Sequence, residues 1–535
     1  MMLPSHKNGH PGISNEKRDA LLLLIIVLCN LVLKAIPAGI LELSNDEVYY
    51  WTYALFPDWS HFDHPPMVGF LIQLFTLNLN YSSELFIRAG SLVLSSANII
   101  ILFSLVKRLF SRRAAHIAVL LYISSIYFNI ISGLFILPDS PQIFFVILAI
   151  YFLLPSVTII NPVRKDEINI ILFGIFTGLA FLSKYHSLFL WLGAGLYIGF
   201  RNRIWLRKAS LYLSLLLTLI LTLPVFYWNF RNDFISFAFH SNRLGLLHSH
   251  VNLSSFFQFN LGEILYQNPV VFVIILGVFF KTFFSEKYKF SEVESALLFL
   301  GIPLILIFTI FSLFRTTLPH WSGPAFICLI IFASKYLAEL VSSNRKMVIS
   351  SLTAAAFIFA ATLVFGTIQI KTGFIRVLKG PESNYPGQND FTLDMYGWRQ
   401  ARIKFEDFLK DEGVNRSQYN HLAIVSDNWF PAAHLDYYIA KPLNIRLLAL
   451  GDISKIHKYF WINKTRKLDI TDRVLFITDS RNYQSPEKFR QCFSDIIPAD
   501  TLTITRSGKI AKYVYLYFME GLKCDTILYS AHPGF

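Results

Sequence analysis

The stretch Leu41–Phe70, LELSNDEVYYWTYALFPDWSHFDHPPMVGF, follows directly on an apolar run at 20–40. That run is long enough to cross the roughly 30 Å hydrocarbon core of a bilayer. Asp46, Glu47, Asp63 and His64 therefore stand where a first helix leaves the lipid. Ionisable groups are costly beside lipid, and where they persist they mark function. Further apolar runs lie near 84–106, 114–136, 142–160, 168–183, 186–200, 209–229, 266–284, 293–314, 321–341 and 347–371. With the first, that makes about eleven transmembrane helices. The residues before Arg18 are polar, with no apolar core and no small-residue cleavage site, so the first run reads as a retained helix rather than a removable signal.

Composition agrees. Apolar residues are 54% of the chain and charged residues 16%, against roughly 25% charged in soluble domains. The net charge of +13 would suit a polyanion, but the basic residues fall in short loops between the runs. These are Lys107-Arg108 with Arg112-Arg113, Arg164-Lys165, Arg201 to Lys208, Lys281 to Lys289, and Arg345-Lys346. This is the positive-inside pattern, and it argues against nucleic acid as a partner. It makes 1–19 a cytoplasmic tail and 20–372 a transmembrane domain. Segments 41–83, 137–141 and 230–265 become its outer, catalytic loops. The expected location is a plasma (inner) membrane, multi-pass, with a cytoplasmic N-terminus. Neither a G-x-x-x-x-G-K-[ST] nor a G-x-G-x-x-G motif is present, so no nucleotide cofactor is expected.

After residue 373 the composition changes, and KGPESNYPGQND reads as a linker or loop. HLAIVSD, IRLLAL and RVLFITDS are strand-like, WRQARIKFEDFLKDEG and SPEKFRQCFSDII helix-like, and TLTITRSGKIAKYVYLYFM a hairpin turning at Ser507-Gly508. Residues 373–535 thus read as an extracytoplasmic α/β domain. Four cysteines suit neither a zinc ribbon nor a disulfide scaffold. An oxidising compartment would still permit a Cys492–Cys524 bridge.

The polar constellations gather on the outer side. Ser44 and Glu47 have capping-box spacing, so Glu47 reads equally as a helix-start partner and as a catalytic carboxylate. Asp46 is less well explained by capping and suits a general base. The aromatics that follow would make the helix amphipathic and interfacial. Asp63-His64-Pro65-Pro66 reads either as a turn opening a helix or as an anion site. Asp139, in LPDSP, has helix-start spacing. His240 and Arg243 share one face if helical. Lys184 and Tyr185 in SKYHS, and Arg315, His320 and Trp321 in FRTTLPHW, complete the set.

Taken in order, NDEVYYW, FDHPPMVGFLI, LPDSPQIFFVILAIYFL, GLAFLSKYHSLFLW, PVFYWNFRNDFISFAFHSNRL and FRTTLPHWSGPAF resemble the bacterial GT-C glycosyltransferases, the group of the protein O-mannosyltransferases and lipid A aminoarabinose transferases. The resemblance spans about residues 20–330. It implies a sugar donor linked to polyprenyl phosphate, inverting transfer to an unidentified extracytoplasmic acceptor (glycolipid, glycan or protein), and no nucleotide. Asp46 matches the family's presumed base. Asp139 matches the second-loop aspartate that helps hold acceptor or sugar. Asp63-His64 falls where aminoarabinose transferases have Glu-Lys before Pro-Pro. Asp63 and His240 would accordingly hold a divalent metal, zinc or magnesium, while His64, Lys184, Tyr185, Arg243, Arg315, His320 and Trp321 would bind substrate. Departures are His64 for lysine, Asp63 for glutamate, Thr317 for lysine and Trp321 for tyrosine, so the aminoarabinose substrate does not carry over. The rival class is a transporter or flippase for a lipid-linked sugar. It predicts midplane sites and internal repeats, whereas the polar motifs here lie in loops and no repeat is found.

Overall fold

The structure, a computed structural model, describes residues 13–244, 250–375, 385–466, 468 and 472–523. Helix α1 (Ile13–Ile40) leads to two short helices, α2 (Asn45–Leu55) and α3 (Met67–Phe75). Then come α4 (Glu84–Leu109), α5 (Arg112–Ser124), α6 (Asp139–Val157), α7 (Arg164–Phe181), α8 (Phe189–Phe200) and α9 (Ala209–Arg231). The helical part closes with α10 (Ile235–Leu244), α11 (Leu253–Tyr266), α12 (Pro269–Phe283), α13 (Glu292–Ser312) and α14 (Phe326–Thr372). Every apolar run anticipated from the sequence is mainly helical. Among the described residues six helical segments are long and apolar enough to cross a membrane, and the bent pair α11–α12 would add a seventh. The protein is a multi-pass membrane protein.

Sequence chemistry explains the breaks. The runs at 321–341 and 347–371 are one helix, α14, kinked at Asn344, whose φ of −141° and ψ of 61° leave the helical region. The α11–α12 pair bends by 102°. Its hinge residue Asn268 has φ 70°, caps Val270 N–H, and donates to the Ser124 and Ala355 carbonyls. The run at 114–136 is interrupted: α5 ends at Ser124, and Tyr127–Ile131 form a π-turn. Segments 41–83 and 230–265, expected as loops, hold α2–α3 and α10–α11. Each of these helices is too short to span alone, and α11 could cross only as half of the bent α11–α12 pair.

The C-terminal part forms a five-stranded mixed sheet in the order β2-β1-β3-β5-β4. Strands β1 (Leu422–Ser426), β2 (Arg446–Ala449) and β3 (Arg473–Asp479) are parallel, and β4 (Phe493–Arg506) and β5 (Lys509–Leu522) form an antiparallel hairpin. Its turn is Ser507-Gly508, both at positive φ, as the sequence anticipated. The helix expected at SPEKFRQCFSDII is a correction. Only Pro486–Phe489 make one 3-10 turn. The chain from Phe493 alternates and pairs with the strongly β-forming YVYLYF of β5.

Helix α15 (Trp398–Asp411) and the segments after β1 pack this domain onto α2. Val48, Tyr49, Tyr50, Trp51 and Tyr53 share one buried cluster with Trp398, Phe405, Tyr437 and Tyr438. The aromatic face of α2, read as interfacial, is therefore covered by protein. Polar contacts fix the seat. Glu42 accepts from the N–H groups of Trp398 (2.7 Å) and Arg399 (3.2 Å), satisfying free amides at the start of α15. Arg399 pairs with Glu84 at 2.6 Å, and Asn45 meets His434 at 2.8 Å.

Candidate active site

Helix α2 begins with the anticipated Ser44–Glu47 capping box, and this separates its two acidic residues. Glu47 is fully buried. Its Oε1 accepts from Arg88 Nε (2.7 Å) and Ile136 N–H (3.1 Å), and its Oε2 from an Arg88 terminal nitrogen (2.7 Å) and Ser44 N–H (3.0 Å). Arg88 also donates to the carbonyls of Ala38, Leu41 and Glu42, the orphan acceptors at the end of α1. All the lone pairs of Glu47 needed for a base are occupied. The geometry makes it a latch joining α1, α2, α4 and the segment before α6.

Asp46, one residue earlier, points the other way. Its side chain is open to solvent, and among the described residues it makes no hydrogen bond or ion pair. Protein atoms nevertheless crowd around it. Burial pushes its carboxyl up to about 6; the His64 charge opposes this, and Asp63, Asp394 and Glu47 add to it.

Asp63 has the opposite environment. Its Oδ1 accepts from the Tyr49 (2.7 Å) and Tyr53 (2.5 Å) hydroxyls, and its Oδ2 lies 3.1 Å from His64 Nδ1. Burial alone would raise its pKa, but the hydrogen bond and charge of His64, the charge of His457 and the Tyr53 hydroxyl hold it well below the usual range. Two neighbouring carboxyls with pKa values driven apart are the pattern of a titrating base beside a permanent anion.

The metal expectation does not fit this arrangement. His240 Nε2 lies 2.8 Å from the main-chain carbonyl of Asp63, not from its carboxylate, and that carboxylate is committed to three hydrogen bonds. Among the described residues no group of three His, Cys, Asp or Glu is placed to hold a metal.

Asp139 is the first residue of α6. Its carboxylate does not cap the helix. It accepts from Tyr127 Oη (2.8 Å) and pairs with Lys184 Nζ at 2.8 Å, both partners buried. The π-turn supplies Tyr127, and the turn after α7 supplies Lys184. His320 lies within electrostatic range of Asp139 and Lys184, and Tyr50 feels both Asp46 and Asp139. The structure thus gathers Asp46, Asp63, His64, Asp139, Lys184 and His320 into one neighbourhood.

The remaining residues sit around it. Tyr185 bonds Ser236 Oγ at 3.0 Å, and its ring packs 5.3 Å from that of His240. Trp321 packs on Phe308, and Arg315 is exposed beyond α13. Arg243 lies in α10, but its side chain falls outside the described residues, as does Cys524 and with it the proposed bridge to Cys492. Sequence reasoning missed Arg88, although a charge inside the apolar run at 84–106 was a usable signal. It also missed Lys458, brought in by the C-terminal domain. Lys458 Nζ contacts His61 Nδ1 and the Phe56 carbonyl, both at 2.5 Å, and burial lowers it to about 7. Nothing in its local sequence signals that contact.

Comparison with known proteins agrees with this architecture. Residues 63–228 match the family model for dolichyl-phosphate-mannose-protein mannosyltransferases. The lipid A galacturonosyltransferase RgtD of Rhizobium johnstonii is 20% identical over 441 residues, 81% of this chain and 85% of that protein. ArnT from Cupriavidus metallidurans superposes with a TM-score of 0.63 when bound to undecaprenyl phosphate and 0.58 in the apo state. The identities are 14% and 12%, with 93% of this chain and 98% of ArnT covered in both. The resemblance drawn from the motifs is borne out: the chain shares its fold with ArnT and is similar in sequence to a lipid A galacturonosyltransferase and, over residues 63–228, to the mannosyltransferase family model.

Proposed function

We propose that this enzyme transfers one sugar from a polyprenyl-phosphate donor to a hydroxyl of an envelope acceptor, with inversion. Asp46 is the general base. The observation that carries this is the Asp46 carboxylate itself: solvent-reachable and without a partner among the described residues, with burial by the surrounding protein pushing it up to about 6. A general base is most effective with a pKa near the working pH. Asp46 takes the acceptor proton as that oxygen attacks the anomeric carbon, and the sugar–phosphate bond breaks to release polyprenyl phosphate. Fixed charges at the leaving group act strongly in a water-poor site. His64, Lys184, Arg243 and Arg315 are the candidate cations, with Asp139 orienting Lys184. Tyr185, His320 and Trp321 line the way for sugar or acceptor.

A polyprenyl-phosphate donor is supported by the family model and by the undecaprenyl phosphate bound in ArnT. A glycolipid acceptor is supported by the lipid A galacturonosyltransferase. In this reading about eleven spans cross the membrane, basic loops lie in the cytoplasm, and 373–535 faces outward over the site. Purified enzyme mixed with polyprenyl-phosphate donors carrying labelled sugars should release free polyprenyl phosphate in step with acceptor labelling. Translocation of intact donor across vesicles, without that release, would contradict the reading.

A further inference from the structure

A polar cavity of about 280 Å³ opens in the C-terminal domain, lined by Tyr385, Gln388, Asn428, Arg481, Tyr483 and Gln484 among others. It lies where the chain leaves β1 and β3, the adjacent parallel strands ending at Ser426 and Asp479. Ligands of open α/β sheets bind beyond the carboxyl ends of such strands. Its volume is near the lower end of the roughly 300–1,000 Å³ of small-ligand sites, too small for a lipid tail.

The lining has a definite chemistry. Tyr385 and Tyr483 stack with centroids 4.9 Å apart and an interplanar angle of 29°, giving an aromatic wall. Gln388, Asn428 and Gln484 carry amides that both donate and accept. Arg481, whose side chain is 10% exposed, pairs with Asp394 through one terminal nitrogen, while its Nε is buried with no hydrogen-bond partner. The nearby charges largely cancel, because Lys488 pairs with Asp427 at 2.5 Å as Arg481 does with Asp394. An aromatic wall, amides and balanced charge suit the ring face and hydroxyls of a neutral sugar better than a multivalent anion.

Asp394, held by Arg481, lies within electrostatic range of Asp46. We propose that this cavity is an acceptor subsite that binds a sugar unit of the acceptor's glycan and so presents the hydroxyl to Asp46. The proposal rests on the transfer reading above for its role, but not for the saccharide binding itself.

The test uses the full chain in detergent, probed on an array of neutral and uronic-acid oligosaccharides. Wild type should retain neutral saccharides, and Gln388→Ala/Gln484→Ala should lose at least tenfold in affinity. The bulkier Gln484→Trp, which fills the cavity without truncating its walls, should do the same. Polyprenyl-phosphate release with water as acceptor should be unchanged in all variants. Binding of no saccharide by wild type, equal binding by the variants, or exclusive binding of uronic acids overturns the subsite. Saccharide binding that the variants abolish, with no donor cleavage by wild type, would sink the transfer reading and leave the saccharide site standing.

Discussion

Asp46→Asn is expected to lose about 10²–10⁴ of the sugar-transfer rate, the usual cost of removing a general base, while still binding polyprenyl phosphate. The carboxylate works only when ionised. The wild-type rate should therefore climb with pH through about 6, the value to which burial raises Asp46, and level off above it. The variant's residual rate should lack that rise. Folding gives an independent check. A raised carboxyl pKa means that the fold favours the protonated form, a contribution fully present below the unfolded value and lost as pH rises through about 6. Near pH 7.5 a neutral asparagine lifts this burden, so the variant's Tm should be no lower than wild type. Matched-expression kinetics with thermal unfolding separate the two effects. Near-normal turnover by Asp46→Asn would move the base away from Asp46, with Asp139 the next candidate.

The Glu47–Arg88 pair predicts a loss of folding. Both side chains are fully buried, and removing one partner leaves an uncompensated charge, at a typical cost of about 3–5 kcal/mol. Glu47→Gln and Arg88→Met should each lower Tm sharply in detergent, more than loss of a helix cap at roughly 0.5–2 kcal/mol. Glu47→Leu/Arg88→Met removes both charges and should recover part of the loss. Recovery stays incomplete, because the Ala38, Leu41 and Glu42 carbonyls lose their donor. An unchanged Tm with abolished turnover in Glu47→Gln would instead return Glu47 to the catalytic groups.

The helical runs were legible because lipid imposes long apolar stretches, and the sheet because β1, β3 and the 507–508 turn carry local signals. Asp46, Asp63–His64 and Asp139 stood out because charge beside lipid is rare. What stayed hidden was pairing at long sequence separation. Nothing local joins Lys184 to Asp139, Arg88 to Glu47, or Lys458 to His61. The aromatic face of α2 looks the same whether headgroups or a folded domain cover it. The bent α11–α12 pair depends on Asn268, whose positive φ goes with long-range hydrogen bonds to the Ser124 and Ala355 carbonyls.

The anomeric configuration of the product tests the central claim most directly. One displacement by an acceptor oxygen activated by Asp46 inverts the donor's configuration and leaves no sugar on the protein. NMR of the product from a donor of defined anomeric configuration should show complete inversion, and mass spectrometry of quenched enzyme should find Asp46 unmodified. Retention of configuration, or a glycosyl group trapped on Asp46, would contradict the account.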